Sequence, residues 1–213
     1  MKISFTIPVK RVEAIKKYVE SFIDTTTVAI IAMALSVSMT VFAFFTDTIV
    51  AYGDAESHLN IAKRVIHSIT PGFAQLGGIW LPLPHLMMVP FVAIDSLWRT
   101  GLAGSIVSGF AFIISCVYLY KTTFLLTKNK IAAFVAFVIF AINPNILYLQ
   151  STPMTELVLI MFFMLSSYYF IKYVLDDSHV LYLLFAAFFE SRAQELHRRW
   201  KNVSSLGLGP KKL

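Results

Sequence analysis

Three ionisable residues that could take part in catalysis or metal binding lie beside apolar segments of the sequence: Asp54, His58 and Glu156. Asp54 and His58 are four residues apart in a stretch with helical apolar spacing, so one helix face can present both. A carboxylate and an imidazole on one face can hold a divalent cation, or can form a simple capping pair. Glu156 begins an apolar run, where a carboxylate has either a partner or task at the membrane border, or a favourable position on a helix dipole. The sequence leaves both pairs of alternatives open.

A basic pair follows the first acid at short distance. Lys63 and Arg64 lie one to two helical turns beyond His58, and the polar segment ends at the turn pair Pro71-Gly72. Such a pair can bind a phosphate, or can contact lipid headgroups at a membrane surface.

The composition predicts the class of protein that must hold these residues in place. The chain has 213 residues, of which 57% are hydrophobic and 14% charged, and its mean hydropathy is +0.72. Soluble domains carry about 25% charged residues, so an integral membrane protein is expected. The basic residues flank apolar runs and form no stripe, which argues against a nucleic-acid partner despite the net charge of +6. A single cysteine, Cys116, excludes a disulfide framework and a cysteine-based metal cluster.

The apolar runs predict an all-α fold, a polytopic transmembrane helix bundle with juxtamembrane helices in a long first outer loop. Each span needs about 20 apolar residues. We therefore expect a multi-pass protein of the cell membrane, embedded in the lipid bilayer. The five basic residues that precede the first span predict a cytoplasmic N-terminus. The predicted spans cover residues 25–46, 101–120, 131–149 and 157–175.

The segment 79–98 is apolar but contains three prolines, each of which removes a backbone donor that lipid cannot replace. If this segment crossed, the loop 121–130 with its three lysines would lie outside, against the positive-inside tendency. We therefore expect residues 54–98 to form re-entrant or juxtamembrane elements on the outer face. Asp54 and Glu156 are then expected on the same side of the membrane.

The ordered motifs resemble those of a known family. They are Gly53-Asp54-Ala-Glu-Ser-His58, Pro71-Gly72, Gln75-Leu-Gly, Trp80-Leu-Pro-Leu-Pro-His85 and Ser151-Thr-Pro-Met-Thr-Glu156. In this order they resemble the polytopic C-type glycosyltransferases, which include the protein O-mannosyltransferase-like and aminoarabinose-transferase-like enzymes. The resemblance covers roughly residues 25–189.

The resemblance implies a site and a reaction. Asp54 would be the general base for the acceptor hydroxyl, and Glu156 would assist through a divalent metal ion or by positioning the acceptor. The implied partner is a polyprenyl-phosphate-linked sugar, from which the sugar passes to the acceptor hydroxyl at the outer face. The residues implied for binding the substrate or its phosphate are His58, Lys63, Arg64, Trp80 and His85. The residues implied for binding the metal ion are Asp54, His58 and Glu156.

The last part of the chain departs from that family. Residues 1–189 correspond to an N-terminal transmembrane module, whereas 190–213 form an atypical tail with six basic and two acidic residues. The apolar run before it, residues 178–189, is too short to cross a membrane as a helix. A truncation or frameshift near residue 189 is one expectation. The alternative function is a non-catalytic membrane subunit or truncated pseudoenzyme that binds a lipid carrier or a partner.

Overall fold

The computed structural model describes residues 13, 17–18, 20–76, 80, 82–176 and 180–191. Within these residues the chain is helical and contains no strand, which confirms the predicted all-α class. The predicted tail beyond residue 191 and most of the basic N-terminal segment lie outside the described residues, whereas residues 190 and 191 belong to the last helix. The helices are α1 Thr25–Phe45, α2 Gly53–Arg64, α3 Pro82–Val92, α4 Asp95–Arg99, α5 Leu102–Thr127, α6 Lys130–Ala141, α7 Pro144–Gln150, α8 Glu156–Asp176 and α9 Val180–Ser191, with a 3-10 turn at Phe73–Leu76.

Among the residues that the structure describes, three single helices are long and apolar enough to cross a membrane: α1, α5 and α8. They agree with three of the predicted spans and indicate a membrane protein. The shorter apolar helices α3 and α9 do not reach that length, as expected from the prolines of the first and the brevity of the second.

The fourth predicted span, 131–149, is not one straight helix: α6 and α7 together are long and apolar enough to form either a broken span or a re-entrant loop. The chain breaks after Ala141, and α6 and α7 meet at an angle of 68°. Asn143 accepts hydrogen bonds from the backbone N–H groups of Asn145 and Ile146, and Pro144 occupies the first turn of α7. An asparagine cap followed by proline starts a new helix, and proline disfavours the α conformation of the residue before it.

Helix α5 lies at the centre of the bundle and packs against α1, α6 and α8. Its buried face is rich in small residues, which let neighbouring helices approach closely in a membrane. At one end of the bundle, Nζ of Lys130 donates a 3.0 Å hydrogen bond to the carbonyl of Glu20. At the other end, Gly101 adopts a left-handed conformation against Ile49 and Val50, where a Cβ would collide. The end of α1 and the start of α5 therefore meet at the end of the bundle that carries α2.

Candidate functional site

A buried pair of histidines forms the centre of the candidate site. Nδ1 of His58 and Nε2 of His85 are 2.9 Å apart, so one ring donates a hydrogen bond to the other. The side chains are 2% and 0% exposed. Trp80 packs edge-to-face against His58, with ring centroids 4.7 Å apart. The pair joins two residues that lie on different helices.

Two amphipathic faces bring the rings together. On α2 the buried face contains His58 with Ala55, Leu59 and Ala62, at the i+3 and i+4 spacing of a single helix stripe. On α3 the buried residues include His85, Met88 and Val92, which follow the same periodicity. Burial of these stripes sets the packing of α2 against α3 and thus the contact between the rings. The prolines Pro82 and Pro84 lie in the first turn of α3, where their missing N–H groups are tolerated.

The two predicted acids converge on this pair. Burial lowers the pKa of His58, and the negative charges of Glu156 and then Asp54 oppose that shift. Both carboxylates therefore lie within electrostatic reach of the same imidazole. Asp54 is half-buried in the first turn of α2 and Glu156 is the exposed first residue of α8. The structure thus brings together three predicted site residues from two distant parts of the sequence.

The exposure of these groups separates their roles. A substrate can reach the two carboxylates, whereas both imidazoles are buried and bonded to each other. The predicted phosphate contact of His58 and His85 does not fit this arrangement, because neither ring presents an open surface. Because both rings are buried and bonded to each other, they suit a supporting role instead.

The Lys63 side chain makes contacts within the protein and is not free to bind a phosphate. Its ammonium donates a 2.9 Å hydrogen bond to the carbonyl of Val92 at the end of α3, and lies 3.5 Å from Asp95. It also lies 4.8 Å from the ring centroid of Trp98. These contacts tie α2 to the junction of α3 and α4. Arg64, the next residue, is exposed and keeps its side chain available for an anion.

The predicted metal site is not assembled in this structure. Among the described residues, no group of three or more histidine, cysteine, aspartate or glutamate side chains is arranged to hold a metal ion. Asp54, His58 and Glu156 are neighbours without forming a coordination sphere, and one nitrogen of His58 is already bonded to His85. Binding of a divalent cation here stays a prediction.

A set of buried polar contacts among α1, α5 and residues 150–154 was not predicted from the sequence. Oγ of Ser36 in α1 donates a 2.7 Å hydrogen bond to Oε1 of Gln150, and both residues are buried. Two serines of α5, Ser105 and Ser108, bond backbone carbonyls of the segment 151–154. The available signal was the run of small residues in α5 at three- and four-residue spacing, a pattern typical of close helix contacts in membranes.

Comparison of the chain with known protein families, curated proteins and solved structures finds no match. The site is therefore interpreted from its own geometry and from the ordered motifs described above.

Proposed function

We propose that this chain is a membrane glycosyltransferase that resembles the C-type family. The proposed reaction transfers a sugar from a polyprenyl-phosphate-linked donor to an acceptor hydroxyl at the outer face of the cell membrane. In this proposal the N-terminus is cytoplasmic, and Asp54 and Glu156 face the outside.

One observation carries the proposal: the charges of Asp54 and Glu156 both act on His58, which is buried and hydrogen-bonded to His85. Asp54 lies one helical turn before His58 on α2, whereas Glu156 is far away in the sequence, so the fold brings Glu156 to the same imidazole. Acids of the same two motifs carry the chemistry in the family that the chain resembles. A site at the end of apolar spans also suits a donor whose carrier is embedded in lipid.

The residues have distinct proposed roles in the transfer. Asp54 accepts the proton of the acceptor hydroxyl while the hydroxyl oxygen attacks the anomeric carbon of the sugar. The bond from that carbon to the donor phosphate breaks, and the phosphate leaves on its polyprenyl carrier. Glu156 orients the acceptor or holds a divalent cation that would offset the charge of the departing phosphate. Arg64 is the exposed cation of the predicted phosphate set.

The histidine pair supports the acids in this proposal. Burial lowers the pKa of His58, which disfavours a buried positive charge that would hold Asp54 and Glu156 in fixed ion pairs. The hydrogen bond to His85 fixes the orientation of its ring. Trp80 closes the side of His58 with an apolar edge.

The test is sugar transfer by the purified chain in liposomes that contain a radiolabelled polyprenyl-phosphate sugar and candidate acceptors. Asp54→Asn should lower turnover by at least about a hundredfold, in the range for removal of a general base. The matched control is Glu56→Gln, which removes an exposed acid from the same turn of α2. Equal turnover in wild type and Asp54→Asn would exclude Asp54 as the base.

A second candidate function is a non-catalytic subunit or pseudoenzyme that binds a lipid carrier or a partner. The specific observation in its favour is the engagement of Lys63 and of both histidines in contacts within the fold. If the chain binds a polyprenyl phosphate without transferring sugar, this second function replaces the first.

A further inference from the structure

The chain between α7 and α8 is buried although it is not helical. Residues 151–155 connect Gln150 to Glu156, and the first four of them are buried. Buried peptide groups outside a helix lack the helix's own hydrogen bonds, so the surrounding protein must satisfy them.

Two serines of α5 supply donors to this connecting segment. Oγ of Ser105 donates a 2.7 Å hydrogen bond to the carbonyl of Ser151, and Oγ of Ser108 donates a 3.0 Å bond to the carbonyl of Met154. The serines are three residues apart and lie on the same face of α5. Each is 1% exposed. The two hydrogen bonds hold the segment near its beginning, at Ser151, and near its end, at Met154.

The neighbouring residues leave the segment little freedom. Gly104 lies directly against Pro153, whose backbone and ring occupy the space that a Cβ of residue 104 would need. Ahead of the segment, Gln150 is held by the hydroxyl of Ser36. The segment is therefore fixed on both sides, between α1 and α5.

The position of Glu156 depends on this docking. Only Thr155 separates Met154, whose carbonyl Ser108 holds, from the start of α8 at Glu156. A shift of the segment along α5 would move the carboxylate relative to α2, where His58 lies. Losing a donor to a buried carbonyl leaves that carbonyl unsatisfied, which favours such a shift.

We propose that Ser105 and Ser108 are positioning residues, which dock the segment 151–155 so that the Glu156 carboxylate stays beside His58. The catalytic consequence rests on the proposed function, whereas the docking itself does not. The serines touch no substrate and act through Glu156.

The test reads the surroundings of His58 directly. The full chain, labelled with ¹⁵N-histidine in detergent micelles at one fixed pH, gives a His58 side-chain signal that senses the Glu156 charge. The Ser105→Ala/Ser108→Ala variant should move this signal toward the value of Glu156→Gln. It should cause no further movement when combined with Glu156→Gln. The matched control is Ser115→Ala, since Ser115 is equally buried in α5 but bonds only the carbonyl of Ala111 in its own helix.

The outcomes separate this inference from the proposed function. A His58 signal that stays at its wild-type position in the double-serine variant, while Glu156→Gln moves it, overturns the inference. If the double variant does not fold, Ser105→Ala alone removes the shorter bond and carries the same expectation. In a transfer assay, the double variant should lower kcat by about tenfold to a hundredfold with little change in KM, the range for a slightly misplaced group. Movement of the signal without any transfer by the wild type would keep the docking and overturn the transferase.

Discussion

The contact between Gly104 and Pro153 gives a stability prediction that needs no knowledge of the function. A methyl group at residue 104 would place Cβ closer than 3.0 Å to three atoms of Pro153, one of them the backbone Cα. Rotation of a side chain cannot relieve this overlap, so the connecting segment or α5 must move. Overpacking of this kind costs about 1–3 kcal/mol, and a backbone collision belongs near about 3 kcal/mol.

The same change also improves the helix, which must be subtracted. Alanine is favoured over glycine inside a helix by about 1 kcal/mol. The net expectation for Gly104→Ala is thus a loss of about 2 kcal/mol in the free energy of unfolding. The control is Gly53→Ala in α2, where no atom lies within 4 Å of the added Cβ and the expected change lies between zero and a gain of about 1 kcal/mol.

The assay is equilibrium unfolding of both variants in mixed micelles, followed by far-ultraviolet circular dichroism as the denaturing detergent is increased. The difference between the two variants should be about 2–3 kcal/mol, which follows from the opposite signs of the two changes. Equal free energies of unfolding for Gly104→Ala and Gly53→Ala would refute the close contact of α5 with Pro153.

Three further predictions follow from the buried polar contacts and from the expected topology. Ser36→Ala should lower the free energy of unfolding by about 1–3 kcal/mol, because the amide oxygen of Gln150 loses its buried donor; unchanged stability in the same micelle assay would contradict it. Burial lowers the pKa of His58 below its ordinary value of 6.5, so the unfolded chain binds the proton more readily and stability should fall as the pH drops below about 6.5. Thermal unfolding at pH 7.5 and 5.5 should show a smaller fall in His58→Asn than in the wild type. An equal fall in both proteins would contradict this prediction. From the predicted topology, a membrane-impermeant maleimide should label Ser57→Cys from outside intact cells and should leave Lys128→Cys unlabelled. The native Cys116 is buried and should add little background. The reverse labelling pattern would mean that the topology is inverted.

Much of the fold follows from the sequence because bilayer thickness fixes the length of an apolar helix. The predicted spans 25–46, 101–120 and 157–175 correspond to α1, α5 and α8 within a few residues, apart from the longer end of α5. The break at Asn143-Pro144 was also encoded locally, by a capping residue followed by proline, but the apolar composition of 131–149 concealed it. Periodicity and composition average over a window and do not register a single bend.

The site was predictable only in part. The sequence placed Asp54 and His58 on one helix and Glu156 at the start of another, and the fold brings these residues together. The pairing of His58 with His85 depends on the packing of α2 against α3, which no local pattern specifies. The same holds for the contact of Ser36 with Gln150, which joins residues 114 positions apart.

The most direct test of the central claim is release of sugar from a polyprenyl-phosphate donor by the reconstituted chain, measured with wild type, Asp54→Asn and Glu156→Gln in parallel. We expect turnover by the wild type, a loss of at least about a hundredfold in Asp54→Asn, and a clear loss in Glu156→Gln. Wild-type turnover that persists unchanged in both variants would contradict the central claim. Binding of the donor without any turnover would contradict it equally, and would assign the chain to the non-catalytic function.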